Sequence, residues 1–256
     1  MFDLTTLKST DKIIVAGHRG YSARYPENTL LAYQQAAEIG CDIIELDVTL
    51  AADGTAVISH DDRLDRVSDG TGMISDYSSA ELKKLDLGSK HGKAFEGIRM
   101  PTFLEAMTLI KEYPGVIVDV DFKIGPHIFE AVNAAEKIID ALEMWDRCIF
   151  NSCDGDVVDY FYRKGALTVG APRSYRDKVN YSEDTYKKLW AVCIPMDELT
   201  PEAAFEYTRA GIKVAVTSPD SYCQLRYALN CGATFLIVDE PVPAITIARL
   251  LNREEA

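Results

Sequence analysis

Nine short, apolar, β-rich runs alternate with longer stretches of helical periodicity along all 256 residues, and this alternation constrains the fold more than any other feature. The candidate strands are IIVAG (13–17), CDIIELDVTL (41–50), TAVISH (55–60), VIVDVDF (116–122), CIFNS (148–152), LTVGA (167–171), AVCIPM (191–196), KVAVTS (213–218) and TFLIVD (234–239). Helical patterns fall near 28–39, 78–86, 102–112, 127–143, 155–164, 182–190, 201–210, 220–230 and 242–252. Strands that alternate with helices pair in parallel. Parallel neighbours need a crossover of about a dozen residues or more. The residues around Asp53-Gly54 are too few for one, and Asp-Gly favours a two-residue antiparallel hairpin. The run 55–60 therefore folds back beside the outer end of the second strand, with residue 47 opposite residue 60 to within one residue of register. Eight strands remain, each followed by a helix. That is the count of a (β/α)8 TIM barrel, an α/β fold, although a doubly wound open sheet gives a similar pattern. Residues 61–101, rich in Asp, Ser and Gly, are too long for a plain loop and read as a small cap inserted after strand 2. The chain 1–256 thus reads as a single barrel domain with a cap over one face.

The net charge is −13. Nucleic acid is excluded as a partner, because such binders need a basic face. The same field repels anionic substrates, so an anionic ligand would require local cations. Six cysteines occur, none in a C-x-x-C pair and most in apolar runs, and they read as buried thiols. The N-terminal MFDLTTLKSTDK lacks the apolar core of a signal peptide, and no stretch approaches a membrane span. A soluble, cytoplasmic protein is expected.

Polar residues cluster at the outer ends of the first three parallel strands, where barrel active sites lie. Glu45 and Asp47 share one face of the second strand. Turned outward, they would meet an apolar helix layer, so a cation between them inside the barrel is the better reading. His60 lands beside them through the hairpin. Asp119, Asp121 and Lys123 follow one another at i+2 down the third barrel strand. Asp121 and Lys123 are the better candidates for chemistry, since Asp119 lies deeper. His18-Arg19 ends the first strand. Carboxylate oxygens suit Mg²⁺ or Ca²⁺ rather than zinc. Two histidines beside such a metal suit acid–base work. Arg19 could grip a phosphate through paired hydrogen bonds, and Lys123 adds a point charge. Together these groups describe cleavage of a phosphate ester. His91 reads as an exposed cap residue and His127, after Pro126, as a helix-start residue, neither with a role in the chemistry.

The motifs H-R-G (18–20), P-E-N-T (26–29), E-L-D (45–47) and H-D (60–61) resemble those of the glycerophosphodiester phosphodiesterases. "DRLDRVSDGTG" and "ELKKLDLG" resemble that family's cap, and Pro101-Thr102-Phe103-Leu104-Glu105 its return to the barrel. The likeness is dense over roughly 12–125. It implies a TIM barrel and a divalent metal, Mg²⁺ or Ca²⁺ with Mn²⁺ as a further option, held by Glu45, Asp47 and Asp121. It implies acid–base roles for His18 and His60 and phosphate contacts by Arg19 and Lys123. The implied reaction is hydrolysis of a small-molecule glycerophosphodiester to glycerol 3-phosphate and an alcohol. Three positions depart from the family pattern: Asp121 replaces a usual Glu, Thr217-Ser218-Pro219-Asp220 replaces a W-T-V-N-like run, and Val238-Asp239 replaces a T-D pair. Asp-x-Lys at 121–123 is also similar to the sphingomyelinase D-like lyases, which release a cyclic phosphate. A non-catalytic barrel that binds a phosphorylated ligand is the alternative from another class.

Overall fold

The computed structural model describes residues 3–254, so the two residues at each end of the expected 1–256 unit lie outside it. In chain order the elements are α1 (Leu4–Ser9), β1 (Ile14–Gly17), α2 (Leu30–Ile39), β2 (Ile43–Leu50), β3 (Ala56–Ile58), α3 (Ser79–Leu82) and α4 (Phe103–Lys111). They continue with β4 (Ile117–Phe122), α5 (Ile128–Leu142), β5 (Cys148–Ser152), α6 (Gly155–Arg163), β6 (Thr168–Gly170), α7 (Glu183–Tyr186) and β7 (Ala191–Pro195). The last are α8 (Pro201–Thr208), β8 (Lys213–Thr217), α9 (Tyr222–Asn230), β9 (Phe235–Val238) and α10 (Pro241–Glu254).

Parallel pairing runs from β1 through β9, β8, β7, β6, β5 and β4 to β2, and a further β1–β2 pairing closes the ring. The closed eight-stranded TIM barrel is therefore present, and the open sheet is not. Period-two alternation sorts the strand residues into two cores. Ile14, Ala16, Ile43, Ile117 and Ile149 fill the barrel interior, whereas Val15, Ile44, Leu46, Val48, Val118, Val120 and Phe122 pack outward among the helices. Glu45 and Asp47 continue the inward row of Ile43, and Asp119 and Asp121 continue that of Ile117.

Helix α1 has no counterpart among the sequence patterns. Its N-cap Asp3 accepts a hydrogen bond from the Thr6 N–H at 2.7 Å, and Leu7 is fully buried within the interior core. Leu7, with the partly buried Leu4 beside it, thus anchors a helix too short to show periodicity. The expected helix at 182–190 shrinks to α7, whose first turn is capped by Ser182 accepting from the Thr185 N–H.

The hairpin differs in detail from the expected one. Strand β3 pairs antiparallel with β2, Val48 opposite Ile58 and Leu50 opposite Ala56. The loop holds three residues, 52–54, because the Ala51 N–H already donates to the Thr55 carbonyl at 3.0 Å. Gly54 takes a left-handed φ of 77°, the conformation that closes a three-residue hairpin loop. The ladder accordingly runs one residue out of the expected register, and the Ser59 N–H donates to the Asp47 carbonyl at 3.1 Å. The cap at 61–101 encloses a small core of its own, including Leu64, Ile74, Leu82, Leu87 and Met100. Chain return to the barrel at α4 is fixed by a capping box between Thr102 and Glu105.

Candidate active site

The barrel register places the acids. Glu45 pairs with Asp119, and Asp47 with Asp121, across β2 and β4. Oxygens of Glu45, Asp47 and Asp121 all lie within 4.8 Å of one another. The shorter acid at 121 therefore still reaches the cluster. Glu45 accepts the backbone N–H of Arg19 at 2.7 Å, which requires Arg19 in a left-handed conformation with φ 56°. Gly20 follows with φ 83°, and a Cβ there would meet the Ala32 backbone at 2.6 Å. This tight turn, spelled H-R-G in the sequence, aims the amide at Glu45. Asp47 Oδ2 accepts from Asn28 Nδ2 at 2.7 Å, and Asn28 Oδ1 in turn accepts from the buried Tyr33 hydroxyl at 2.9 Å.

Two cations serve these acids. Lys123 Nζ lies 2.6 Å from Asp47 Oδ1 and 2.5 Å from Asp121 Oδ2. The first contact is off the hydrogen-bonding line and acts as a charge contact, because Asp47 Oδ1 makes no hydrogen bond. The Arg19 guanidinium faces Asp47 at 3.4 Å through Nε and donates from Nη1 to Glu27 at 2.8 Å. Burial works to raise the Asp47 carboxyl, but Lys123, Arg19 and His60 hold it below the usual carboxylate range. Glu45 is pushed well above that range, by burial first and by Asp47 second. Burial, and then Asp47 against the pull of Lys123, also raises Asp121. Asp119 is fully buried, and neither of its oxygens has a hydrogen-bond partner. Burial also raises its carboxyl well above the usual range. Four carboxyls thus face two cations. A hard divalent cation fits this donor set, which is all oxygen, convergent and short of positive charge.

The histidines enter from different loops. Gly17 pairs with Val238 where β1 meets β9, so the next residue on each strand, His18 and Asp239, falls side by side at the barrel closure. His18 Nδ1 lies 2.8 Å from Asp239 Oδ1. Ser22 and Ser218 hydroxyls sit 2.8 and 3.1 Å from the same carboxylate, and Asp220 accepts the Asp239 and Glu240 amides at 2.7 and 3.0 Å. Burial alone would raise Asp239, but His18 and the hydroxyls bring it down to about 2. His60, beyond the end of β3, places Nδ1 2.7 Å from Asp61 Oδ1. Arg66 lowers Asp61 to about 2, against its partial burial and with help from His60. Both carboxylates are ionised at neutral pH and can only accept, so each Nδ1 carries the proton and each Nε2 is left for chemistry.

His18, Arg19, His60, Asp121 and Lys123 line one cavity of about 670 Å³, whose far side is formed by residues at and beyond the ends of β5 to β8, among them Asn151, Tyr175, Met196 and Asp197. A second cleft of about 390 Å³ runs on the other side of Lys123, past Met73 and His127. Neither His18, His60 nor Asp121 lines it, so the candidate site is the larger cavity. His91 lies in the cap against Phe95. Of the cysteines, 41, 148 and 231 are buried as expected, but Cys223 is exposed, and Cys153 and Cys193 border the active cavity. Sequence reasoning missed Asp239 as the partner of His18, and it missed Glu27, Asn28, Asp61 and Arg66 as supports. Asp61 and Glu27 were visible only as letters within motifs.

Residues 18–242 match the Glycerophosphoryl diester phosphodiesterase family. A protein from Caldanaerobacter subterraneus subsp. tengcongensis named "Glycerophosphodiester phosphodiesterase" is 40% identical over 247 residues, covering 93% of this chain and 98% of the relative. The structure of an Oleispira antarctica phosphodiesterase in complex with the product sn-glycerol-3-phosphate superposes with a TM-score of 0.82 at 26% identity, covering 93% of this chain and 96% of that one. A glycerophosphodiester phosphodiesterase from Thermotoga maritima gives 0.70 at 26% identity, covering 92% and 98%.

Proposed function

This chain belongs to the glycerophosphoryl diester phosphodiesterase family, and we propose that it adds water across one phosphate ester bond of a glycerophosphodiester, releasing glycerol 3-phosphate and an alcohol. The observation that carries this reading is the convergence of Glu45, Asp47 and Asp121 at the wall of a cavity that Asp121 lines together with His18 and His60. Glu45, Asp47 and Asp121 would hold the divalent cation, Mg²⁺ or Ca²⁺ by their hard oxygens. When bound, it supplies Lewis-acid stabilisation to the phosphoryl oxygens.

The chain's own groups do the rest. Arg19, braced by Glu27, and Lys123 offer positive charge to the non-bridging phosphate oxygens. Engagement of Lys123 by a phosphate requires it to leave one of its two carboxylates. One imidazole Nε2 takes a proton from the attacking water. The other, which must enter the cycle as an imidazolium with Nε2 also protonated, gives that proton to the departing alcohol oxygen as the phosphorus–oxygen bond breaks. The proton gained by the first ring is exchanged with solvent to recharge the second, so the count balances over the cycle. Asp239 and Asp61 hold the Nδ1 protons and keep both rings in the productive tautomer. We take the whole chain as one catalytic unit acting on a small molecule. Among the described residues no helix is long and apolar enough to cross a membrane, and six unpaired thiols suit a reducing compartment; we place the enzyme in the cytoplasm.

The test is a turnover screen of purified protein with Mg²⁺, Ca²⁺ or Mn²⁺ against glycerophosphocholine, -ethanolamine, -glycerol and -inositol. His18→Ala and His60→Ala should each lower kcat by roughly 10²- to 10⁴-fold. Full turnover in both variants would remove the acid–base assignment. The Asp121–Lys123 ion pair also suits a lyase of the sphingomyelinase D kind. Phosphorus NMR separates the two, since hydrolysis yields a phosphomonoester and the lyase a cyclic phosphate.

A further inference from the structure

One cation beside the site has no part in the chemistry above. Arg66 belongs to the cap, yet its Nε donates to Asp61 Oδ2 at 2.6 Å, and Nη1 and Nη2 donate to the two oxygens of Glu27 at 2.7 and 2.8 Å. The other Asp61 oxygen faces His60 Nδ1, and the same Glu27 also accepts from Arg19. A continuous chain of charged contacts therefore runs from His60 through Asp61, Arg66, Glu27 and Arg19 to Asp47. Isolated surface ion pairs contribute little, but a guanidinium that grips one carboxylate in a fork and a second through Nε fixes the geometry of both.

We infer that Arg66 is a positioning residue for His60: it divides the two Asp61 oxygens between a guanidinium and an imidazole, and so holds the His60 ring with Nε2 in the cavity. The physical need is local. Asp61 follows His60 directly in a bend past the end of β3, where no strand pairing fixes either side chain. With only one partner, the Asp61 carboxylate could rotate and release the ring. The equivalent group for His18 is secured differently: Asp239 is bound by the Ser22 and Ser218 hydroxyls and sits on a barrel strand end. His18 is thus oriented by the barrel, whereas His60 is oriented only while the cap is docked. Glu27 also accepts from Arg19, but Arg19 keeps that bond and its charge contact with Asp47 when Arg66 is removed, so the loss falls on His60.

This inference rests on the acid–base reading of His60, and the two fail separately. Steady-state kinetics of the full chain with glycerophosphoethanolamine and Mg²⁺ are measured for Arg66→Ala, Arg66→Lys, Asp61→Asn and the Asp61→Asn/Arg66→Ala pair, together with thermal melting. Arg66→Ala should lower kcat by about 10- to 100-fold, with a smaller change in KM. Arg66→Lys should regain part of that loss. The double variant should be no more than about threefold slower than Asp61→Asn, because both act through the same imidazole. If Arg66→Ala does not fold, Arg66→Gln, which keeps the stem and a donor, replaces it in the same cycle. Wild-type kcat in the Arg66 variant, or losses that multiply in the double variant, would overturn the positioning role. Wild-type kcat in His60→Ala would instead overturn the acid–base reading beneath it.

Discussion

Strands β1, β2 and β4 and strands β6, β7 and β8 share one backbone plan but present different chemistry to the same cavity. On the first side stand His18, Arg19, Asp121 and Lys123, with His60 arriving from β3. Each is gripped by a neighbour: Asp239, Glu27, Lys123 or Asp61. On the second side the wall is Gly170, Ala171, Pro172, Tyr175, Met196 and Thr217, with Asp197 as the one charged residue lining it among the described residues. The contrast teaches a division of labour. Charge is concentrated where opposing charge and fixed dipoles can support it, and the neutral wall is left to set shape. Substitutions on the first side should therefore change rate, and those on the second side should change which alcohol is accepted.

The largest effect is expected from the acids themselves. Glu45→Gln and Asp47→Asn should each weaken divalent-metal binding measured by titration calorimetry and lower kcat by on the order of 10³-fold. Chelation of the wild-type enzyme should do the same and be reversed by adding metal back. Metal binding unchanged in both variants would break the comparison at its root, because the buried carboxylates would then be only structural.

Asp239 sharpens the comparison, because it directly follows the last strand but contacts the residue that follows the first. Asp239→Asn replaces an acceptor by an amide that can donate to His18 Nδ1, favouring the tautomer with its proton on the wrong nitrogen. A loss of roughly 10²-fold or more in kcat with little change in KM is expected. An unchanged kcat would show that the ring is held by packing and not by this hydrogen bond.

The same residue shows what was legible in the sequence. The acids at 45, 47 and 121 could be read because strand period two is local: neighbours at i+2 share a face, and an apolar helix layer rejects charge. The count of eight strands followed from crossover length, which is also local. Asp239 was not legible as a partner of His18, because their contact depends on barrel closure and on the register Gly17 to Val238, across more than 200 intervening residues. Arg66 escaped for a related reason. Its two carboxylates come from a loop after β1 and a bend after β3, and no periodicity links them. The hairpin was placed one residue out of register, yet His60 still reached the site, because the ladder ends at Ile58 and strict alternation no longer governs residue 60.

The smallest effects are expected on the neutral wall. Tyr175 contributes an aromatic face there, and the ammonium of Lys178 lies 4.1 Å from its ring centroid, so the ring already accommodates a cation. Asp197 is exposed at the same end and makes no ion pair among the described residues. Removing either group should leave kcat within a few-fold of wild type. The change should appear in KM and depend on the alcohol. Tyr175→Ala and Asp197→Asn are expected to raise KM by about 3- to 10-fold for glycerophosphocholine and -ethanolamine, whose alcohols carry a positive charge. Glycerophosphoglycerol and -inositol should respond by less than about twofold, since neither offers the wall a cation. Equal losses for all four substrates would mean that the wall acts through general packing. A fall in kcat as large as that of Asp239→Asn would erase the division between the two sides, because the wall would then be helping to place the reacting phosphate itself.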